Sequence, residues 1–313
     1  MLSRNAEHTL ILNNSLQVLA TGFVDAVSLN YNFLNLKSRE TVPGFSDDGL
    51  SVSAAEPWFK VKVQVLQSYL QAFIVTALSR ADEVVLVDLF AGSGVFSSGH
   101  QKDIFPGASF AAMGDALPFT RWIFCERDAD QLKALDTRIR RSFASLDTEI
   151  VHSNPRDPDR FLSLIPTSKP GKRVAVIVLA DSFSLELPFS TMNKLAALNC
   201  SLLMPFTFVL NSRMDCRYYA KEQSDMLRRY IGESCFSKLK DLESNHHFYR
   251  RLIRLYQNNL LVAGLNAAIS THRLESRMME LPAYHIGFFS KQFSTRNILR
   301  EVNGAENLQY ELF

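Results

Sequence analysis

The sequence predicts an α/β fold, with a mostly parallel sheet, an antiparallel C-terminal edge pair and a helical insertion. Three observations predict it. Apolar runs at 84–87, 121–126, 174–181 and 202–210 alternate with helical segments, the pattern of a parallel sheet with right-handed crossovers. Three of these runs end in an acid, at Asp88, Glu126 and Asp181. Beyond residue 211 the alternation stops, and two long helical stretches precede two candidate strands.

Taken in order, Leu10 to Val27 reads as a helix, and Val42 to Glu56, with Pro, Gly, Ser and Asp, as a loop. Residues 57–79 read as a helix with Phe59, Val63, Leu66, Leu70, Phe73 and Ala77 at steps of three and four, and Pro57 near its start. A first strand at 84–88 is followed by a loop from Gly94 to Pro106, a helix at 107–116 and a second strand at 121–126. Then come a helix at 128–143, a strand at 149–152, a helix at 160–165, a strand at 174–181, a helix at 189–198 and a strand at 202–210. Asp215 to Leu239 and His246 to Ala268 read as two long helices. Thr271 to Glu280 and Tyr284 to Ser290 read as antiparallel strands with Pro282 in their turn. The expected organisation is an N-terminal extension at 1–56, a core at 57–210, a helical insertion at 211–268 and C-terminal strands at 269–313.

The chain has 313 residues, 47% of them hydrophobic and 21% charged, ordinary values for a globular protein. Its four cysteines are far apart, with no C-x-x-C pair. A zinc knuckle is therefore not expected, and Cys125 and Cys200 read as buried thiols. No apolar run looks long enough to cross a bilayer, and the N-terminus has no secretion signal, so a cytoplasmic protein without a membrane partner is expected. The net charge of +2 divides unevenly: residues 211–301 hold 15 Lys and Arg against 9 Asp and Glu, and the remainder holds 19 against 23. The basic third reads either as a surface for a polyanion such as nucleic acid or as solvated helix faces.

The acid-tipped strand 84–88 opens into Phe90, Ala91, Gly92 and Gly94, a turn where a ligand can approach the backbone. A carboxylate there repels a pyrophosphate and attracts a sulfonium and an ammonium. The D-x-F-x-G-x-G spacing therefore points to S-adenosylmethionine. A dinucleotide fingerprint would want glycine where Ser97 stands. In an open α/β sheet, ligands bind beyond the carboxyl ends of the strands. Asp88 and the Phe90–Gly94 loop would face the methionine part, Glu126 both ribose hydroxyls, Ser153 or Asn154 the adenine, and Asp181 the transferable methyl. Each acid taken singly also reads as a helix N-cap. Asp88 and Glu126 are 38 positions apart, against about 20 in the compact dinucleotide unit. The excess lies in the Val95–Ser109 stretch.

The chain resembles the three-Cys-motif partner proteins, a bacterial family with a Rossmann-like class I methyltransferase fold. The resemblance rests on F-K-V-K-V-Q-V-L-Q-S-Y-L (59–70), V-D-L-F-A-G-S-G (87–94), F-P-G-A-S (105–109), F-C-E-R-D (124–128), L-A-D-S-F (179–183), M-P-F (204–206) and N-S-R (211–213). It covers roughly residues 57–215. It implies methyl transfer and a partner protein with three cysteines, radical S-adenosylmethionine-like. The order of parts is also similar to that of a ribosomal RNA adenine-N6 methyltransferase, but Ala180-Asp181-Ser182-Phe183 lacks the two prolines that such an enzyme carries after strand four. Asp181 and Phe183 remain as the acid and the base-stacking ring. A hydroxyl acceptor, with Lys62 or Asp181 assisting deprotonation, is the other option. Lys62 also reads as a solvated helix lysine. The expected function is methyl transfer to nucleic acid or a nucleotide-containing substrate. The alternative is a catalytically decayed binding or scaffold subunit of a bacterial defence or modification system. Neighbours in sequence point about 100° apart on a helix, so His246-His247 is a poor metal site and no metal is expected. There is no nucleophile elbow.

Overall fold

Seven strands form the central sheet of the computed structural model, which describes residues 47–99, 103–154, 156–240 and 242–304. The predicted Leu10–Val27 helix lies outside them. The elements, in chain order, are β1 (Ser53–Ala55), α1 (Phe59–Leu78), β2 (Glu83–Asp88), β3 (Val95–Ser98), β4 (Asp103–Pro106), α2 (Ala108–Gly114), β5 (Arg121–Glu126), α3 (Ala129–Ser142), β6 (Thr148–His152) and α4 (Asp159–Leu162). They continue with β7 (Val174–Leu179), α5 (Phe189–Ala197), β8 (Ser201–Pro205), α6 (Cys216–Lys221), α7 (Ser224–Ile231), α8 (Glu233–Phe236), α9 (Asn245–Val262), β9 (Asn266–Arg273), β10 (Ala283–Ser290) and α10 (Thr295–Asn303).

The sheet order is β6-β5-β2-β7-β8-β10-β9. The first five strands are parallel, and β10 runs antiparallel to both β8 and β9. This is the expected α/β, Rossmann-like arrangement with its antiparallel edge pair. Val84 to Val87 and the whole of β7 are buried, which is why these strands read as unbroken apolar runs. Alternation along β10 separates the two helical layers. Phe288 meets Tyr69 and Phe73 of α1, while His285 faces Tyr249 of α9.

Several boundaries differ from the sequence reading. The Gly94–Pro106 loop contains a hairpin: β3 and β4 pair antiparallel, β1 adds to β3, and Phe96 packs on Phe105. The fifth strand ends at Pro205, not Leu210, with one further bond to β10 from the Phe206 amide to the His285 carbonyl. The Asp215–Leu239 helix is three short ones, broken at Gln223 (φ −111°) and at Gly232 (φ +84°). The second long helix stops at Val262, and Gly264 (φ +86°) turns the chain into β9. β9 thus begins before the predicted Thr271. α10, capped by Ser294, was not foreseen.

α1 is also, by length and a mean hydropathy of 1.2, long and apolar enough to cross a membrane, against the sequence expectation. Here its buried side chains, among them Val63, Leu66, Phe73 and the charged Lys62, belong to the core. Cys125 and Cys200 are buried thiols as expected.

Arg138 of α3 ties the segment before β1 to the glycine turn. It donates to both oxygens of Asp48 at 2.7 and 2.8 Å, and to the carbonyls of Ser51 and Ser93 at 2.9 and 2.8 Å. These bonds hold the Asp48 carboxyl below its ordinary value, so this contribution is present above the ordinary carboxylate range and is lost as pH falls through the folded value. Arg138→Met is expected to lower unfolding stability by about 2–4 kcal/mol, measured by urea denaturation. Limited proteolysis should then cut first at residues 47–55.

Candidate functional site

The sheet register places the three acids at one edge. Asp88 is level with Phe124 and with Leu179, so Glu126 and Asp181 each lie two residues further along neighbouring strands. Asp88 is buried. Its Oδ1 accepts from the Phe90 amide at 3.1 Å and its Oδ2 from the Ser109 hydroxyl at 2.6 Å. Burial raises its pKa to about 7; the two hydrogen bonds oppose this, and the charges of Asp181 and Glu126 add to it.

The glycine turn is braced by its own chain. Ala91 donates to Cys125, Gly94 to Ala91 and Gly107 to Gly94. At Gly94 (φ +81°) a Cβ would come within 3.0 Å of both Leu135 and Phe110. Glycine is therefore required there by packing as well as by backbone conformation. Phe90, Ala91 and Gly92 are half-buried.

Glu126 holds the turn from the next strand. Its Oε2 accepts from the Gly92 amide at 2.9 Å, and its Oε1 from the Arg127 and Asp128 amides at 2.8 Å each. A carboxylate has about four acceptor positions. One remains, enough for one ribose hydroxyl rather than the expected two while Gly92 stays bound. Asn154 and Ser153 also separate. The Asn154 side chain is exposed and accepts from the Arg156 amide at 2.9 Å. Ser153 is buried, and its hydroxyl has no hydrogen-bond partner among the described residues.

Lys62 is not a solvated helix lysine. It is fully buried, and its Nζ bonds Asp181 Oδ1 at 2.7 Å. Its ammonium also lies 3.9 Å from the ring centre of Phe183, 4.6 Å from that of Phe59 and 5.7 Å from that of Trp58. Phe183 stacks on Phe59, with centroids 4.4 Å apart and planes 5° apart. Burial pulls the Lys62 pKa down, while the Asp181 charge and hydrogen bond, then the Asp88 charge, push it back. The arrangement can take up a proton, balance the charge left behind and stack a planar ring.

Sequence reasoning missed Ser109, Phe59 and Trp58 as parts of this cluster. Phe59 and Ser109 stand in the F-K-V-K and F-P-G-A-S stretches, but nothing local shows that their side chains meet Phe183 and Asp88. In the basic third, Arg228 pairs with Glu233 and packs on Phe236, and Arg273 pairs with Glu275; Arg229, Lys238, Lys240, Arg251 and Arg254 are exposed. A surface groove of about 780 Å³ lies elsewhere, between α3 and the amino half of β6, lined by Leu132, Ile139, Arg140 and Ile150. None of the predicted site residues lines it.

No protein-family model and no curated protein matches the chain. Among solved structures it is similar to a Legionella pneumophila protein of the DUF519 family (10% identity, TM-score 0.44, covering 77% of this chain and 90% of that one). It is also similar to precorrin-6y C5,15-methyltransferase of Geobacter metallireducens (14%, 0.40, 80% and 99%). A third is magnesium protoporphyrin IX methyltransferase of Synechocystis with bound S-adenosylmethionine (11%, 0.38, 73% and 79%).

Proposed function

We propose that the chain is an S-adenosylmethionine-dependent methyltransferase of the three-Cys-motif partner type, acting on nucleic acid or a nucleotide-containing substrate. The observation that carries this reading is the meeting of Asp88, Glu126 and Asp181 at one sheet edge, beside a buried Ser153 hydroxyl with no partner among the described residues. An adenosine fits that set: Glu126 keeps an acceptor position for a ribose hydroxyl, and Ser153 supplies a donor or acceptor for the base. Bound S-adenosylmethionine would supply an electrophilic methyl group. Asp181 receives the proton of the acceptor, Lys62 balances the carboxylate's charge, and Phe183 stacks on the acceptor ring. The exposed cations of the basic third support phosphate contacts, and the family resemblance supports a three-cysteine protein partner.

A second reading is favoured by one observation. Lys62 already sets a cation in the aromatic cage beside Asp181, as a binding subunit that had lost catalysis would tolerate. Calorimetric titration with S-adenosylmethionine, followed by labelled-methyl transfer to DNA, RNA and protein, separates the two. The methyltransferase reading expects micromolar binding, weakened about tenfold in Ser153→Ala at unchanged stability. No binding by the intact chain would sink it, and binding without transfer to any acceptor would leave the scaffold reading standing.

A further inference from the structure

β10 runs against the parallel strands, so it begins at their carboxyl edge. Ile286 pairs with Pro205, the last residue of β8, and Tyr284 lies two residues beyond that pair. Alternation sets Tyr284 on the same sheet face as Phe288, the face that α1 covers. Its ring lies 5.2 Å from that of Trp58. Trp58 in turn flanks the Lys62 ammonium that bonds Asp181. The Trp58 indole is fixed by its 2.7 Å bond to Glu56, which also holds Ser276 and the Arg277 amide from the β9–β10 connection. Tyr284 is 1% exposed, and its hydroxyl has no hydrogen-bond partner among the described residues. Leaving a buried hydroxyl unpaired is costly, so an orphan held so firmly beside the site points to a ligand.

We propose that Tyr284 is a substrate-binding residue of the Asp181 site, its hydroxyl donating to a lone pair on the methyl-accepting ring. This rests on the methyltransferase reading above. Asp181 as a carboxylate only accepts, and a phenol donates. The two together suit an exocyclic amino N–H beside a ring-nitrogen lone pair, the edge of adenine or cytosine; uracil also sets an N–H beside carbonyl lone pairs, but it has no exocyclic amine to accept a methyl group. Burial, and then the charge of Asp181, raises the phenol's pKa, so it remains a donor at working pH.

The test compares the full chain with Tyr284→Phe on oligoadenylate, oligocytidylate and oligouridylate, with labelled S-adenosylmethionine. The variant should unfold at the same temperature or higher, since it loses only an unpaired hydroxyl, and should bind cofactor as the wild type does. Its kcat/KM for an adenine or cytosine strand should fall about tenfold or more, and neither protein should methylate oligouridylate. A lower unfolding temperature would show that the hydroxyl serves the fold, and unchanged kcat/KM would show that it does not touch the acceptor; either overturns the proposal. A wild-type chain that binds no cofactor overturns the methyltransferase reading and this inference with it; one that binds cofactor yet methylates neither oligoadenylate nor oligocytidylate overturns this inference alone.

Discussion

Asp181→Ala is expected to lower unfolding stability by about 3–5 kcal/mol, and Lys62→Met by much less. The asymmetry follows from where each charge sits. The Lys62 side chain is fully buried and that of Asp181 keeps 10% exposure. Without Asp181, the ammonium keeps the rings of Phe183, Phe59 and Trp58 and the field of Asp88. Shedding the proton is its escape, and neutralising a lysine of ordinary pKa at pH 7 itself costs about 5 kcal/mol. Methionine at 62, by contrast, leaves a carboxylate that water can still reach and fills the same apolar cage. The double variant should therefore recover much of the loss, with a coupling of about 2–3 kcal/mol. Urea denaturation of the four proteins at pH 7 checks this. Equal losses for the two single variants would show that burial of the ammonium is not the dominant cost.

The sheet was largely legible because its signal is local. A strand buried on both faces must be apolar throughout, and Val84–Val87 and Val174–Leu179 show this without any knowledge of partners. The acids at the strand ends were legible for the same reason, since a strand tip fixes which edge of the sheet a residue reaches. What failed was set by backbone conformation or by distant pairing. Gly232 breaks a stretch whose apolar spacing continues across it. Phe96 and Phe105 look like loop residues until they pair with each other and β1 joins them. Lys62 was ambiguous in sequence because its burial depends on Asp181, 119 residues away. Tyr284 sits in a stretch read as a strand, but its place beside Trp58 depends on the β10 register. Ser153 and Asn154, adjacent in sequence, differ in burial, which no local signal shows.

At pH 8, Asp88→Asn is expected to be more stable than the wild type, by on the order of 4 kcal/mol, and at pH 4 to match it. The sign follows from the raised carboxyl. Asp88 titrates near 7 in the fold against 3.8 as the ordinary value, so between those values the folded chain holds a proton that the unfolded chain has lost. Its stabilising contribution is complete below the ordinary pKa and disappears as pH rises through about 7. Asparagine resembles the protonated acid: its Oδ1 still accepts from Phe90, and the Ser109 hydroxyl, now a donor to Asp88, turns to accept from the amide. Denaturation from pH 4 to 8 should show a decline in the wild type that the variant lacks. The same charge that weakens the fold is the one the proposed cofactor needs. A sulfonium and an ammonium favour ionised Asp88, so S-adenosylmethionine should bind the wild type more tightly at pH 8 than at pH 6. Asp88→Asn should bind weakly at both. A site that keeps a buried acid at this cost, when a neutral amide would serve the fold better, is what a cation-binding role requires. Binding by the asparagine variant as tight as that of the wild type would assign Asp88 to bracing the glycine turn alone.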